Sequence, residues 1–279
     1  MSEGAPADPL PGPDREGPAA TGSPPLRRDV GHRAFPPPDR PWVLRQSWRD
    51  LLFAHWPLPA ATLREALPPG LLLDTFEGKG WLGVVPFRMA GVRPRWLPPA
   101  PRAHTFPELN LRTYVVVGET PGVYFFSLDA TSRLAIALAR AWFHLPYFRA
   151  DMTMTPDGEG FRYRSTRRDP RGAPAEFVGR YGPTGPAFRA ARGSLEHWLT
   201  ERYALFSVAA DGRVLRGDVH HRPWPLQPAE AELETLTLPA AHGLPVEGPP
   251  ASLLFARRTD VLTWAPRTVY RAVASARNG

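Results

Sequence analysis

From Trp42 onward, turn signals cut the chain into short β-rich runs, and one stretch alone carries a clean helical period. This alternation constrains the fold more than any other feature. Side chains alternate faces every two residues in a strand but return every 3.6 in a helix, so the dominant period selects the class of architecture. Trp48–Trp56 (WRDLLFAHW) reads as a strand that Pro57 and Pro59 end. Residues 60–67 read as a short helix stopped by Pro68-Pro69-Gly70. Leu71–Phe76, the turn Glu77-Gly78-Lys79-Gly80 and Trp81–Met89 form a hairpin. The proline-studded stretch 93–107 is a loop, and Leu109–Val117 and Val123–Leu128 are β-rich runs separated by Glu119-Thr120-Pro121-Gly122.

Residues 131–144 form the periodic stretch. Leu134, Leu138 and Trp142 recur on one face with Ile136 and Ala139 beside them, Asp129 or Thr131 can cap the start, and Pro146 follows the end. Arg133 and Arg140 share another face. Strand-like segments follow at Ala150–Thr155, Gly160–Thr166, Ala175–Tyr181, Tyr203–Val208 and Arg213–His220, with Pro156-Asp157-Gly158 and Asp211-Gly212 as hairpin turns. A second helix is expected over Ser194–Arg202 with Ser194 as its cap, and final strands at Ser252–Ala256 and Val261–Trp264. Many strands with few helices predict an α+β, mainly β fold: an antiparallel sheet or barrel with helical decoration.

The first 40 residues contain ten prolines and little aliphatic surface. Such a segment buries too little apolar area to offset the entropy of ordering, so residues 1–40 are expected to be a disordered tail and 41–279 one folded domain. Pro36-Pro37-Pro38 serves as a spacer or a weak partner-binding tract. No apolar run reaches the ~18–20 residues that span a bilayer. The N-terminus carries no secretory pattern, and together with the absence of cysteine this makes the cytoplasm the default location. With no cysteine, thiol nucleophiles, disulfides and thiolate metal sites are excluded. Of the 34 Lys+Arg residues, Lys79 alone is lysine. Abundant Ala, Pro and Gly point to a GC-rich genome as the source of the arginines, so a nucleic-acid partner is the weakest functional reading, although the net charge of +7 favours anionic ligands.

The richest chemistry lies in Phe106–Val117 (FPELNLRTYVVV). As a strand it places Glu108, Asn110, Arg112 and Tyr114 on one face and Leu109, Leu111, Thr113 and Val115 on the other. One acid, one amide, one guanidinium and one phenol in a row can bind a polar ligand; the competing reading is a solvent-facing strand with an ordinary Glu–Arg pair. His220 and His221 are adjacent on a strand, so they face opposite sides, cannot easily share a metal, and at most one faces a pocket. His55 reads as a hydrogen-bonded histidine near the core, and His144 as a partner of the helix C-terminal carbonyls. The chain has no Walker A loop, dinucleotide fingerprint, HExxH or GxSxG motif, and no cofactor is expected.

Four segments carry a family resemblance: residues 55–89, 106–115, 122–147 and 221–233 (HRPWPLQPAEAEL). In this order they resemble the uncharacterised YqjF-like bacterial family, across roughly residues 42–270. That family is similar in fold to acetoacetate decarboxylase, so the resemblance implies a large antiparallel sheet curled into a cone-shaped barrel around a cavity. In the decarboxylase, a helix leads into a Gly-x-Pro-Lys-Lys segment whose lysine forms a Schiff base. Here Leu134–Trp142 resembles the helix, and Tyr147 and Phe148 stand where the two lysines would be. Neither forms an imine. Glu108 resembles the decarboxylase glutamate that faces the cavity. The implied cavity is therefore lined by Glu108, Asn110, Arg112, Tyr114 and Tyr147, with Glu108 as a general acid or base and Arg112 holding an anion. The expected ligand is a small anionic or carbonyl metabolite. A non-catalytic sensor or interaction protein is the alternative, and the partners expected are the ligand and further copies of the chain in a homo-oligomer.

Overall fold

The turn signals do divide the chain into strands in a computed structural model, which describes residues 26–97 and 105–271. The strands are β1 (Leu44–Leu58), β2 (Leu72–Leu73), β3 (Gly80–Pro94), β4 (Phe106–Val117), β5 (Thr120–Ala130), β6 (Tyr147–Asp157), β7 (Gly160–Arg167), β8 (Glu176–Pro183), β9 (Ala204–Val208), β10 (Arg213–His220), β11 (Leu226–Leu236), β12 (Ser252–Thr263) and β13 (Arg267–Arg271). The helices are α1 (Ala60–Ala66), α2 (Arg133–Phe143) and α3 (Leu195–Thr200). Ser194 caps α3 as expected, its hydroxyl accepting from the His197 amide at 3.2 Å.

The strands join in the order β13-β10-β9-β5-β6-β7-β8-β11-β12-β1-β3-β4-β2, with β4–β5 and β10–β12 pairings added. The β4–β5 pairing closes a ring through β6, β7, β8, β11, β12, β1 and β3, and the β10–β12 pairing closes a second ring through β9. Both rings use the wall β12-β1-β3-β4-β5. Most pairings are antiparallel, but β5 runs parallel to β6 and to β9. A parallel neighbour needs a crossover, and α2 supplies it between β5 and β6.

Alternation along the shared wall builds two apolar interiors. Leu52, Ala54 and Trp56 of β1, Leu82 and Val84 of β3, and Leu109 and Leu111 of β4 pack with Tyr163, Phe177 and Tyr181. The opposite face puts Phe53, Val85 and Phe87 with Ile136 and Trp224, and Trp81 and Tyr114 with Phe125 and Leu199. A one-residue slip would exchange these faces, so the pattern fixes the register.

Several expectations need correction. β1 runs through Pro57, which pairs with Trp81 next to the strand end, where one missing amide is tolerated. β11 and β13 were not foreseen: the Ala/Glu/Leu content of β11 suits a helix, yet its glutamates alternate with inward residues at period two. Asp129 does not cap α2, because it is buried against Arg167. Trp142 is 41% exposed, and α2 instead buries Ile136 and Phe143; the side chains of Leu134 and Leu138 lie outside the described residues. Residues 1–25 of the expected tail also lie outside them, and residues 26–40 make defined contacts with the rest of the chain. Arg33 is buried, donates to the Val219 carbonyl at 2.7 Å, and stacks over Tyr203. These bonds and stacking contacts offset the low aliphatic content of that segment. Among the described residues, no helix is long and apolar enough to cross a membrane.

Candidate functional site

Strand β4 carries the polar row inward. Glu108 is 2% exposed, Asn110 7% and Tyr114 0%, which rules out a solvent-facing strand. The bland Glu–Arg pair is absent too: among the described ion pairs, none involves Glu108 or Arg112. Strand rise explains this, since four residues separate the two Cα atoms by ~13 Å.

Tyr147, at the start of β6, reaches Glu108 across the intervening β5. Its phenol donates to Glu108 Oε2 at 3.1 Å. The parallel register that sets Tyr147 beside Leu128, and the antiparallel register that sets Glu108 beside Ala130, bring the two strand starts together. Burial disfavours the charged carboxylate and pushes Glu108 up to about 8; hydrogen bonds from Tyr147 and Asn110 only partly oppose this. Glu108 is thus mainly a neutral acid at pH 7. Burial first, and then the neighbouring Glu108, hold the Tyr147 phenol far above its ordinary range. Asn110 spends its amide N–H on Glu108 and leaves Oδ1 buried without a partner.

Further along the row, Tyr114 donates to the Leu199 carbonyl of α3 at 2.9 Å, and Arg112 donates to the same oxygen at 3.1 Å. His55 Nε2 lies 2.7 Å from the Tyr114 hydroxyl. Burial, and then the Arg112 charge, hold His55 well below its usual range, so its imidazole is neutral. Gly83 makes this approach feasible: a Cβ there would lie 2.9 Å from His55 Nε2 and 3.4 Å from Arg112 Cγ. Buried atoms of His55 (Nδ1), Trp81 (Nε1) and Arg112 (Nε) have no protein partner. Donors and acceptors left unpaired in a buried site are costly, and water or a ligand normally satisfies them.

The sequence row is therefore brought together, and two cavities lie apart from most of it. A cavity of about 480 Å³ lies at the β7–β8–β11 rim, lined by Asp157, Arg180 and Glu230 among others. One of about 400 Å³ lies beyond the α2 C-terminus and includes Tyr147. Neither is lined by Glu108, Asn110, Arg112 or Tyr114. His220 and His221 sit elsewhere: His220 contacts the Leu26 carbonyl and Arg33, while His221 stacks on Tyr203. His144 is exposed and adopts a left-handed backbone just after α2. Sequence reasoning missed His55, Gly83 and α3 as parts of the site. The odd-numbered positions of β1, Leu51, Phe53 and His55, share one inward face, and that alternation was the available signal.

The sequence profile of DUF2071, described as an uncharacterized conserved protein, matches residues 45–260. The "Uncharacterized protein YqjF" of Bacillus subtilis (strain 168) is 45% identical over 230 residues, which are 82% of this chain and 94% of that protein. Solved structures are similar in fold. The acetoacetate decarboxylase of Legionella pneumophila has a TM-score of 0.55 at 14% identity, covering 92% of this chain and 100% of that one. An acetoacetate decarboxylase-like enzyme of Sphingomonas wittichii RW1 gives 0.53 at 16%, covering 88% and 100%. The enduracididine biosynthesis enzyme MppR, complexed with pyruvate, gives 0.54 at 11%, covering 84% and 93%. At these identities the likeness shows the fold alone: a large sheet with ring-like closure. The chain belongs to the DUF2071 family of uncharacterized conserved proteins, as a relative of YqjF with an acetoacetate decarboxylase-like fold.

Proposed function

We propose that the chain binds a small anionic or carbonyl-bearing metabolite against the polar face of β4, with Glu108 as a neutral acid that donates to the ligand. The observation that carries this reading is the Glu108 carboxyl: fully buried, raised to about 8, and paired with the phenol of Tyr147. A carboxylic acid kept neutral near pH 7 is a hydrogen-bond donor and a proton source, which a surface glutamate is not. Arg112, without a carboxylate partner among the described residues, supports an anionic group on the ligand, because a sheltered guanidinium gains from a counter-ion. The unpaired Asn110 Oδ1 would accept from a ligand hydroxyl or amine. That MppR was solved with pyruvate supports a keto acid as the first class to try.

Acetoacetate decarboxylation is outside this proposal. The sole lysine, Lys79, is exposed in the β2–β3 turn, and Tyr147 and Phe148 offer no amine. A cytoplasmic setting belongs to the same proposal. The alternative is a sensor that binds without turnover, favoured by the α3 carbonyl that already occupies Arg112 and Tyr114.

A panel of keto and hydroxy acids, screened by thermal shift and followed by turnover assays, tests the reading. Binding that weakens tenfold or more in Arg112→Gln, with turnover abolished in Glu108→Gln, supports an enzyme. Binding without turnover supports the sensor. No stabilisation by any acid, or stabilisation unchanged in both variants, refutes the site.

A further inference from the structure

The cavity of about 400 Å³ beyond the C-terminus of α2 is lined by Arg140, His144 and Arg171, with Leu145, Pro146 and Val208 among its other walls, and no acidic side chain lines it. Its two guanidinium groups are held in fixed orientations. Arg140 donates through Nε to the Tyr147 carbonyl at 2.8 Å and through Nη2 to Asp169 Oδ2 at 2.7 Å. Arg171 donates through Nε to Asp169 Oδ1 at 2.8 Å and through Nη2 to Asp169 Oδ2 at 2.6 Å. Two cations thus share one carboxylate, and one positive charge is left uncompensated. Among the described hydrogen bonds, none uses Nη1 of either arginine.

Several backbone acceptors nearby are already engaged. Ser207 donates to the Phe143 carbonyl at 2.7 Å, which takes up an orphan acceptor at the end of α2. The Leu145 carbonyl accepts from the Tyr147 amide at 2.8 Å, the Pro146 carbonyl from the Leu128 amide at 3.0 Å, and the Ala209 carbonyl from the Gly212 amide at 2.9 Å. The cavity therefore offers spare donors and net positive charge. Water competes poorly with an oxyanion for two guanidinium groups held in place, and an oxyanion can take up one Nη1–H from each.

We propose that this cavity is a second binding site, for a small oxyanion of the carboxylate or phosphate class, held between Arg140 and Arg171 beside His144. It is separate from the polar row of β4, since Tyr147 is the sole residue common to the two. The site stands on its own observations and does not need a ligand at Glu108.

Titration of the full chain with inorganic phosphate and, separately, with acetate, read by calorimetry and by 15N chemical shifts of Arg Nε, tests it. The expected result is saturable binding of at least one of the two anions. Arg171→Gln should weaken that affinity at least tenfold, because Arg171 is half exposed and its loss leaves the Arg140–Asp169 pair in place. Arg168→Gln, a cation outside the cavity that pairs with Asp151, should leave it within twofold. Glu108→Gln should also leave it within twofold, which separates failure here from failure of the Glu108 reading. No saturable binding of either anion, or equal weakening in Arg171→Gln and Arg168→Gln, would overturn the proposal.

Discussion

Tyr147 and Phe148 are consecutive on β6 and face opposite sides of the sheet: the Tyr147 phenol meets Glu108, while the centroid of the Phe148 ring lies 4.2 Å from the guanidinium carbon of Arg167. Strand alternation alone separates them. If a lysine pair occupied these positions, only one amine would reach Glu108. Here that place is taken by a phenol, which can donate a hydrogen bond but cannot form an imine.

Tyr147→Phe deletes one hydrogen bond that favours the Glu108 carboxylate. The Glu108 midpoint should then rise above about 8. Stability should fall by ~1 kcal/mol, the typical net value of such a bond. A carboxyl-detected NMR titration and urea unfolding check the two parts; an unchanged or lower midpoint would contradict the assignment.

The raised midpoint of Glu108 has a definite sign in stability. In the unfolded chain the group ionises near its ordinary 4.5, whereas in the fold it keeps its proton to about 8. Its contribution is fully present below 4.5 and is lost as pH rises through the folded midpoint. Glu108→Gln is neutral at every pH, so its stability relative to the parent should climb between pH 5 and 8 and then level off. Thermal midpoints of both proteins across that range test this, and a flat difference would argue against it.

Asp129 and Arg167 form an ion pair whose side chains are each 1% exposed, joined at 2.8 Å. Arg167→Met leaves a carboxylate buried without its partner and should cost roughly 3–5 kcal/mol. The double variant Asp129→Leu/Arg167→Met should recover much of that loss, because it removes both desolvated charges. Urea unfolding of the two single variants and the double variant measures the coupling; strictly additive losses would contradict it.

Gly83→Ala should disturb the site from its floor. The added methyl meets His55 Nε2 and must push it from the Tyr114 hydroxyl. Overpacking of this kind costs about 1–3 kcal/mol. The variant should also shift the His55 ring resonances, and a spectrum identical to the parent would count against the described packing.

The strand framework was legible because turn residues and alternation report it locally. The face carrying Glu108, Asn110, Arg112 and Tyr114 was readable for the same reason, and the family resemblance added Tyr147. What stayed hidden depends on long-range register. Nothing near residue 199 announces that its carbonyl will receive Arg112 and Tyr114, since that contact exists only once α3 folds across the wall. The contacts of residues 26–40 were hidden for a related reason: Arg33 is held by the carbonyl of Val219, far along the chain. β11 was missed because composition spoke for a helix while pairing with β8 and β12 decided for a strand.

Glu108, as a neutral, buried acid at physiological pH, is the centre of the proposed site. A 13C NMR titration of the glutamate side-chain carboxyls, with Glu108→Gln identifying the resonance, measures this directly. The predicted result is one glutamate titrating with a midpoint of about 8 and vanishing in the variant. A Glu108 resonance that titrates near the ordinary 4.5 would show a carboxylate open to water and would contradict the account.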